Sequence, residues 1–491
     1  MIAQRFNPNN EPLAQYQQRA EAFWQAEVTA QYEAGAGLSE TLSLADTYKT
    51  YADLFSFTQV KSLIEAAWVN SDSNSRYLAE FAAMRYLQGS VVTYDESYFN
   101  QLGPSTISWE GKDVPFFATV PLLASETSAE KRSQLYAKRS ELVSSFNANR
   151  QERWQVIHKE TQKLGYDSYY ALCNELRGLR LSGLACLAEQ FLQATAVSYQ
   201  KALSHWSQEI LGTTTPAAAD MYYLLRGAQF DHLFSLDKLE TAVHQTAQTF
   251  GINLAKYTGL ELDLIARPNK SQRPFCAFVQ VPDQIKLVIN PTGGHQDYRN
   301  GFHELGHALH GLHIDKNESF ALRYLGDDSV GEAYAFLFER LPTEPLWLSE
   351  ILGMDNTDEY VSYMKFIRLL FIRRCATKLL YENRLHKGAD NPAQLYANLL
   401  QQHLNLDLSP AYYLLDVDDG FYNAQYFRAW LLEAQIVAQL RQSAGDEWVT
   451  NSSTGAFLRP LWAKGQPTAE TISLLLGTDG LNANALIAEF V

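Results

Sequence analysis

Apolar residues recur at three- and four-residue spacing, with few breakers, over Leu13–Ala34, Thr58–Leu87, Ser128–Gly165, Ser182–Leu211, Asp358–His386 and Ala411–Gln442. That period lays apolar side chains along one stripe of an α-helix, so each stretch predicts a helix with a face for a core. Strand-like alternation is brief. Thr106–Val120 carries Ile107, Trp109, Val114, Phe116 and Phe117 about a Glu110-Gly111-Lys112 turn. Phe275–Ile289 carries two apolar runs about Pro282-Asp283-Gln284. Both predict strand pairs. The pattern as a whole predicts a mainly α protein with a small β-sheet. No tandem repeat, low-complexity tract or long Gly/Ser linker divides the chain. Residues 1–491 are therefore expected to form a single unit of two helical lobes, about 1–200 and about 201–491, around a deep cleft.

The second hairpin runs directly into a proline-free stretch, Tyr298–Leu312, with Asp297 as its expected cap. Inside it stands His303-Glu304-Leu305-Gly306-His307, an H-E-x-x-H motif. Positions i and i+4 share one helix face, so two imidazoles reach one metal ion there, with the small sheet beside that helix. Glu304 projects away from the line joining them, where it can take a proton from a metal-activated water. Two histidines do not complete a tetrahedral catalytic zinc, which needs a third protein ligand. His313 stands six residues after His307, but an unbroken helix puts it about 80° off the His303 face and about 15 Å along the axis. His310 holds the position where a helix-breaking glycine would be needed to swing His313 back. The other nominee is Glu332, in Asp327-Asp-Ser-Val-Gly-Glu332-Ala-Tyr-Ala-Phe-Leu-Phe-Glu339. Glu332 and Glu339 are two turns apart on an otherwise apolar face, where carboxylates need a partner such as a metal or a ligand histidine.

Composition narrows the partners. With 46% hydrophobic, 12% aromatic and 19% charged residues, the chain reads as an ordinary globular protein. A formal charge of −15 leaves no basic surplus for nucleic acid or an anionic membrane. No 18-residue apolar run predicts a membrane span, and the first residues lack the apolar core of a signal peptide. Cys173, Cys186, Cys276 and Cys375 are scattered with no C-x-x-C pair, which fits buried thiols in a reducing compartment. The expected location is the cytoplasm.

The run His303-Glu-Leu-Gly-His-Ala-Leu-His310, with Glu332 following Glu304 by 28 residues, resembles the zinc oligopeptidase family of thimet oligopeptidase, neurolysin and oligopeptidase F, and more distantly angiotensin-converting enzyme. The likeness is specific over about Phe275–Arg340, extends to Tyr412–Gly477, and is architectural in the first half of the chain. It implies one zinc ion per chain, held by His303, His307 and Glu332, with Glu304 as general base and Glu339 orienting a ligand histidine. His310 is the further histidine beside this set. It also implies a zinc metallopeptidase that hydrolyses short unfolded oligopeptides admitted to the cleft. The family draws transition-state donors from a late tyrosine cluster, matched here by Tyr422 and Tyr426 in Tyr422-Asn-Ala-Gln-Tyr426-Phe-Arg428. A later family tyrosine falls on Ala429, and no histidine follows His403. The resemblance further assigns Cys276, Ala277 and Phe278 to a strand that pairs with a substrate backbone. Arg428 is the cation nominated to grip a substrate carboxylate, as a carboxyl-terminal-trimming exopeptidase of the same fold would require. A non-catalytic peptide-binding protein is the alternative from another class.

Overall fold

The structure, a computed structural model, describes residues 13–491. It is mainly α, with a two-stranded and a three-stranded sheet. The chain divides into two compact units, each assembled from three stretches. One takes the chain up to Ala83, Gln229–Ser362 and Arg428–Ala485, and the other takes Met84–Ala228, Tyr363–Phe427 and Leu486–Val491. The expected division near residue 200 is corrected by this finding. Its physical reason is the first helix, α1 (Leu13–Gly35), which buries Val28 and Tyr32 against Ala277 and Val288 and so joins the unit that carries the metal motif.

In that unit the sheet has the order β3 (Leu260–Asp263), β5 (Gln284–Val288), β4 (Phe275–Gln280). The predicted β4–β5 hairpin forms, antiparallel, with Cys276 opposite Leu287 and Phe278 opposite Ile285. Strand β3 pairs parallel to β5 and was not expected. Alternation puts Ala277 and Val288 on the α1 face. Phe278 and Ile285 then face the metal-motif helix, α2 (His295–His313), where both approach Gly311. The next long helix, α3 (Asp328–Arg340), lies close against α2 at Gly306, where a Cβ would stand 2.6 Å from the Tyr334 carbonyl oxygen and 2.7 Å from Ala335 Cα.

The second unit is built largely of helices, among them Ala129–Ser145, Asn147–Lys163, Leu181–Ala194 and Ala196–Leu211. It also holds the predicted hairpin β1 (Thr106–Trp109) and β2 (Lys112–Pro115), turned by Glu110 and Gly111 at positive φ. Several expected helices are split. Thr58–Leu87 breaks at Ser71, which caps one helix in the left-handed conformation, while Asp72 accepts from the Ser75 amide to start the next. Ser128–Gly165 breaks at Phe146 and Ser182–Leu211 at Thr195. Ala411–Gln442 becomes α-helical only from Tyr422, in α4 (Tyr422–Ala444), after short 3-10 turns and with Gly420 and Phe421 before it at positive φ.

Candidate metal centre

α2 opens at His295 with Gly294 as its cap, rather than with Asp297. Asp297 lies inside the first turn, where its carboxylate accepts from the Thr292 and Gly293 amides and ties down the chain entering the helix. About two turns further on, His303 and His307 lie on one face, ring centroids 5.0 Å apart. Glu332, five residues into α3 and 6% exposed, points between them. Its Oε2 lies 3.4 Å from His303 Nε2 and 3.7 Å from His307 Nε2. Ligands held about 2.0–2.2 Å from a tetrahedral ion stand roughly 3.3–3.6 Å apart, which the 3.4 Å separation matches and the 3.7 Å one slightly exceeds, so the trio is arranged to hold one ion. Among the described residues this is the one group of three or more His, Cys, Asp or Glu side chains arranged to hold an ion.

The supporting contacts set the imidazole orientation. His303 Nδ1 lies 2.8 Å from Glu339 Oε2, and Arg299, one turn earlier on α2, donates to Glu339 Oε1 at 2.6 Å. With Nδ1 engaged by Glu339, the ring turns its Nε2 towards Glu332. Burial would raise the Glu339 carboxyl, but Arg299 and His303 outweigh it and hold the group at about 2. Burial pulls His303 down, but Glu332 and Glu339 prevail and push it up to about 10, so the pocket favours positive charge. His307 is lowered, chiefly by burial. Arg299 was not singled out from the sequence, although its i, i+4 relation to His303 is a local signal.

Other expected residues fall elsewhere. His310 is fully buried and bonds through Nε2 to the Gly465 carbonyl, 3.1 Å away, not to any ligand of the trio. Burial lowers it to about 3, so it is a neutral core histidine rather than part of the centre. His313 ends α2 with Nε2 at 2.8 Å from the Tyr257 hydroxyl and Nδ1 at 2.7 Å from the Leu309 carbonyl. On β4, the Ala277 side chain belongs to the α1 cluster, and the Phe278 carbonyl accepts from Trp24 Nε1 at 3.1 Å, so part of the backbone assigned to substrate is already engaged. Cys276 lies near Glu304, which with burial raises its thiol well above the ordinary range and suits it to contact rather than nucleophilic attack.

Arg428 is corrected outright. It is 1% exposed and its guanidinium is committed to Asp327 and Glu470, so it cannot reach a substrate carboxylate. Tyr422 and Tyr426 stand on the first turns of α4, ring centroids 4.9 Å apart, within the second unit.

No family model matches the chain, and no curated protein matches it in sequence. Among solved structures, one titled PZ peptidase A with inhibitor 2 is similar with a TM-score of 0.68 at 13% identity, over 99% of this chain and 93% of that one. The chain thus has the mainly α fold of that peptidase structure over nearly its whole length. At this identity the likeness is one of fold.

Proposed function

We propose that this protein is a zinc-dependent metallopeptidase that hydrolyses short, unfolded oligopeptides. The observation that carries the reading is the convergence of His303, His307 and Glu332 at ligand-to-ligand distances suited to one tetrahedral ion, with Glu339 and Arg299 behind His303. The peptidase fold and the family resemblance of the motif agree with it. When bound, zinc supplies a Lewis acid that polarises a peptide carbonyl and lowers the pKa of water.

The remaining chemistry belongs to the side chains. Glu304, half-buried beside His303 on α2, takes the proton of the attacking water and returns it to the departing amide nitrogen. Glu339 holds the His303 ring and its tautomer. Tyr422 or Tyr426 donates to the oxyanion that forms on the former carbonyl oxygen. The strand edge at Cys276 contributes backbone pairing, which grips a peptide without demanding a particular side chain.

The test is metal content together with turnover of a quenched oligopeptide, in wild type and Glu304→Gln. The expected result is one zinc per chain in both, with turnover in the variant reduced by roughly 10²–10⁴-fold. A wild-type protein that binds zinc but cleaves no peptide in a pool of graded lengths favours a peptide-binding role. Glu304→Gln keeping most of its activity refutes the assignment of the base.

A further inference from the structure

Arg428 lost its expected place at the substrate, and its actual surroundings are unusual. It is among the largest fully buried side chains of the described residues. Its Nη1 lies 3.2 Å from Asp327 Oδ1 and 3.4 Å from Ser329 Oγ, and its Nη2 lies 3.0 Å from Asp327 Oδ2 and 2.7 Å from Glu470 Oε2. Asp327 is the residue that caps α3, accepting from the Ser329 amide at 3.0 Å. The same carboxylate accepts at 3.0 Å from the Ala469 amide, the first residue of α5 (Ala469–Leu475). Asp327's own amide bonds the Gln466 carbonyl. One ionic node therefore joins the starts of α3 and α5 to Arg428 on α4, and the residues of the node all lie within the unit that holds the metal residues.

A buried ion pair is a poor source of stability, because the desolvation of two charges offsets most of their attraction. What it supplies is direction. A bidentate guanidinium–carboxylate contact tolerates little displacement of either partner. Here the partner is the cap of the helix whose fifth residue is Glu332. Five residues of helix span about 7.5 Å, so a tilt or slide of α3 at its cap is transmitted almost undiminished to the Glu332 carboxylate. Between the cap and the end of α3, Phe336 stacks on Trp430 at 4.3 Å, and Arg340 pairs with Glu433 at 2.6 Å. α4 thus meets α3 at three levels, and Arg428 makes the contact at the cap.

We propose that Arg428 is a positioning residue for the metal centre: through Asp327 it sets where α3 delivers Glu332, and so sets the affinity for zinc. This rests on the reading of His303, His307 and Glu332 as zinc ligands. The experiment is chelator-competition titration of zinc on the full chain, with folding of each metal-free variant checked by circular dichroism and melting. The variants are Arg428→Met, Asp327→Asn and the double substitution, which leaves no lone charge of this pair in the core. Asp220→Asn breaks a different buried pair, with Arg132 in the second unit, and serves as the control for lost stability alone. The expected result is at least a tenfold weaker zinc affinity in each single variant, no further tenfold loss in the double one, partial recovery in Arg428→Lys, and wild-type affinity in Asp220→Asn. Folded Arg428→Met and double variants that bind zinc as tightly as wild type overturn the proposal. So does an equal loss in Asp220→Asn. Wild-type protein that binds no zinc instead refutes the metal reading on which the proposal stands.

Discussion

Gly306 offers the sharpest perturbation of the centre, because it sits where the two helices bearing the proposed ligands meet and carries no ligand atom itself. Replacing it with Ala adds one methyl group where a Cβ would lie 2.6 Å from the Tyr334 carbonyl oxygen and 2.7 Å from Ala335 Cα. Both are backbone atoms, so no side chain can turn aside. Ordinary carbon contacts lie near 3.5–4.0 Å, and relief therefore requires α2 and α3 to part by about 0.8 Å. Glu332 stands three residues before Ala335 and moves with it. Its distances of 3.4 and 3.7 Å from His303 and His307 would grow to roughly 4 Å or more, beyond what bonds of about 2.0–2.2 Å to one tetrahedral ion can bridge. Overpacking of this kind costs about 1–3 kcal/mol, against which alanine recovers about 1 kcal/mol of helix propensity. The expected outcome is a modest fall in the melting temperature of the metal-free protein. Zinc affinity should fall about 10–100-fold, the range seen when metal ligands lose their support. Chelator competition and calorimetric melting measure the two separately. Gly183→Ala is the matched control, since that helical glycine has no atom within 4 Å of its would-be Cβ. Gly306→Ala with wild-type zinc affinity would refute the claim that close approach at Gly306 sets the ligand geometry.

The ligand set is tested by Glu332→Ala, which should abolish stoichiometric zinc binding, against His313→Ala, which should retain it because His313 is committed to Tyr257 and Leu309; the reverse result in metal analysis refutes the trio. At least one of Tyr422→Phe and Tyr426→Phe should lower kcat by tenfold or more, for a loss of about 2–4 kcal/mol, with KM and melting temperature near wild type; normal turnover in both removes the late tyrosines from the mechanism. In the second unit, burial pushes the Glu382 carboxyl up from an ordinary 4.5 to about 8, against the opposing pull of Lys378. A raised folded-state value means that its contribution is fully present below about 4.5 and is lost as pH rises through 8. Stability of Glu382→Gln, followed by denaturant midpoint, should therefore fall less over that window than in wild type, and identical slopes would refute the assignment.

The parts of this structure that were legible in the sequence are those written in short-range spacing. Helix periodicity located α1, most of the longer helices and the histidine pair, and the β4–β5 hairpin showed in its two apolar runs. Local competition explains the misplaced boundaries. Asp72 offers the backbone a cap in the midst of an apolar period, and Gly420 supplies a positive φ where a Cβ would meet Arg177 Nη1 at 1.9 Å. Strand β3 was missed because Leu260-Glu-Leu-Asp alternates for only four residues, and its partner β5 lies across a parallel connection. Arg428 was misassigned for a different reason. Its partners Asp327 and Glu470 lie 101 and 42 residues away, so no window of sequence displays the contact. A lone arginine beside a tyrosine pair reads as a substrate contact until its burial is known.

The charges of the centre explain why its ligands and their supports belong together. Glu304, Glu332 and Glu339 bring three carboxylates to the neighbourhood of two histidines, and Arg299 returns one positive charge. With neutral imidazoles, two negative charges are left over in a largely buried pocket, which low dielectric makes expensive. A divalent cation balances them. Against the opposing effect of burial, the same carboxylates, Glu332 and Glu339, push up the imidazole they both face, His303. Arg299 bonds Glu339, the carboxylate behind His303. That contact keeps the carboxylate in place to orient His303 through Nδ1, while Glu332 faces Nε2 of both histidines. Arg428 acts from the cap of the helix that carries Glu332, where its charge meets Asp327 and Glu470.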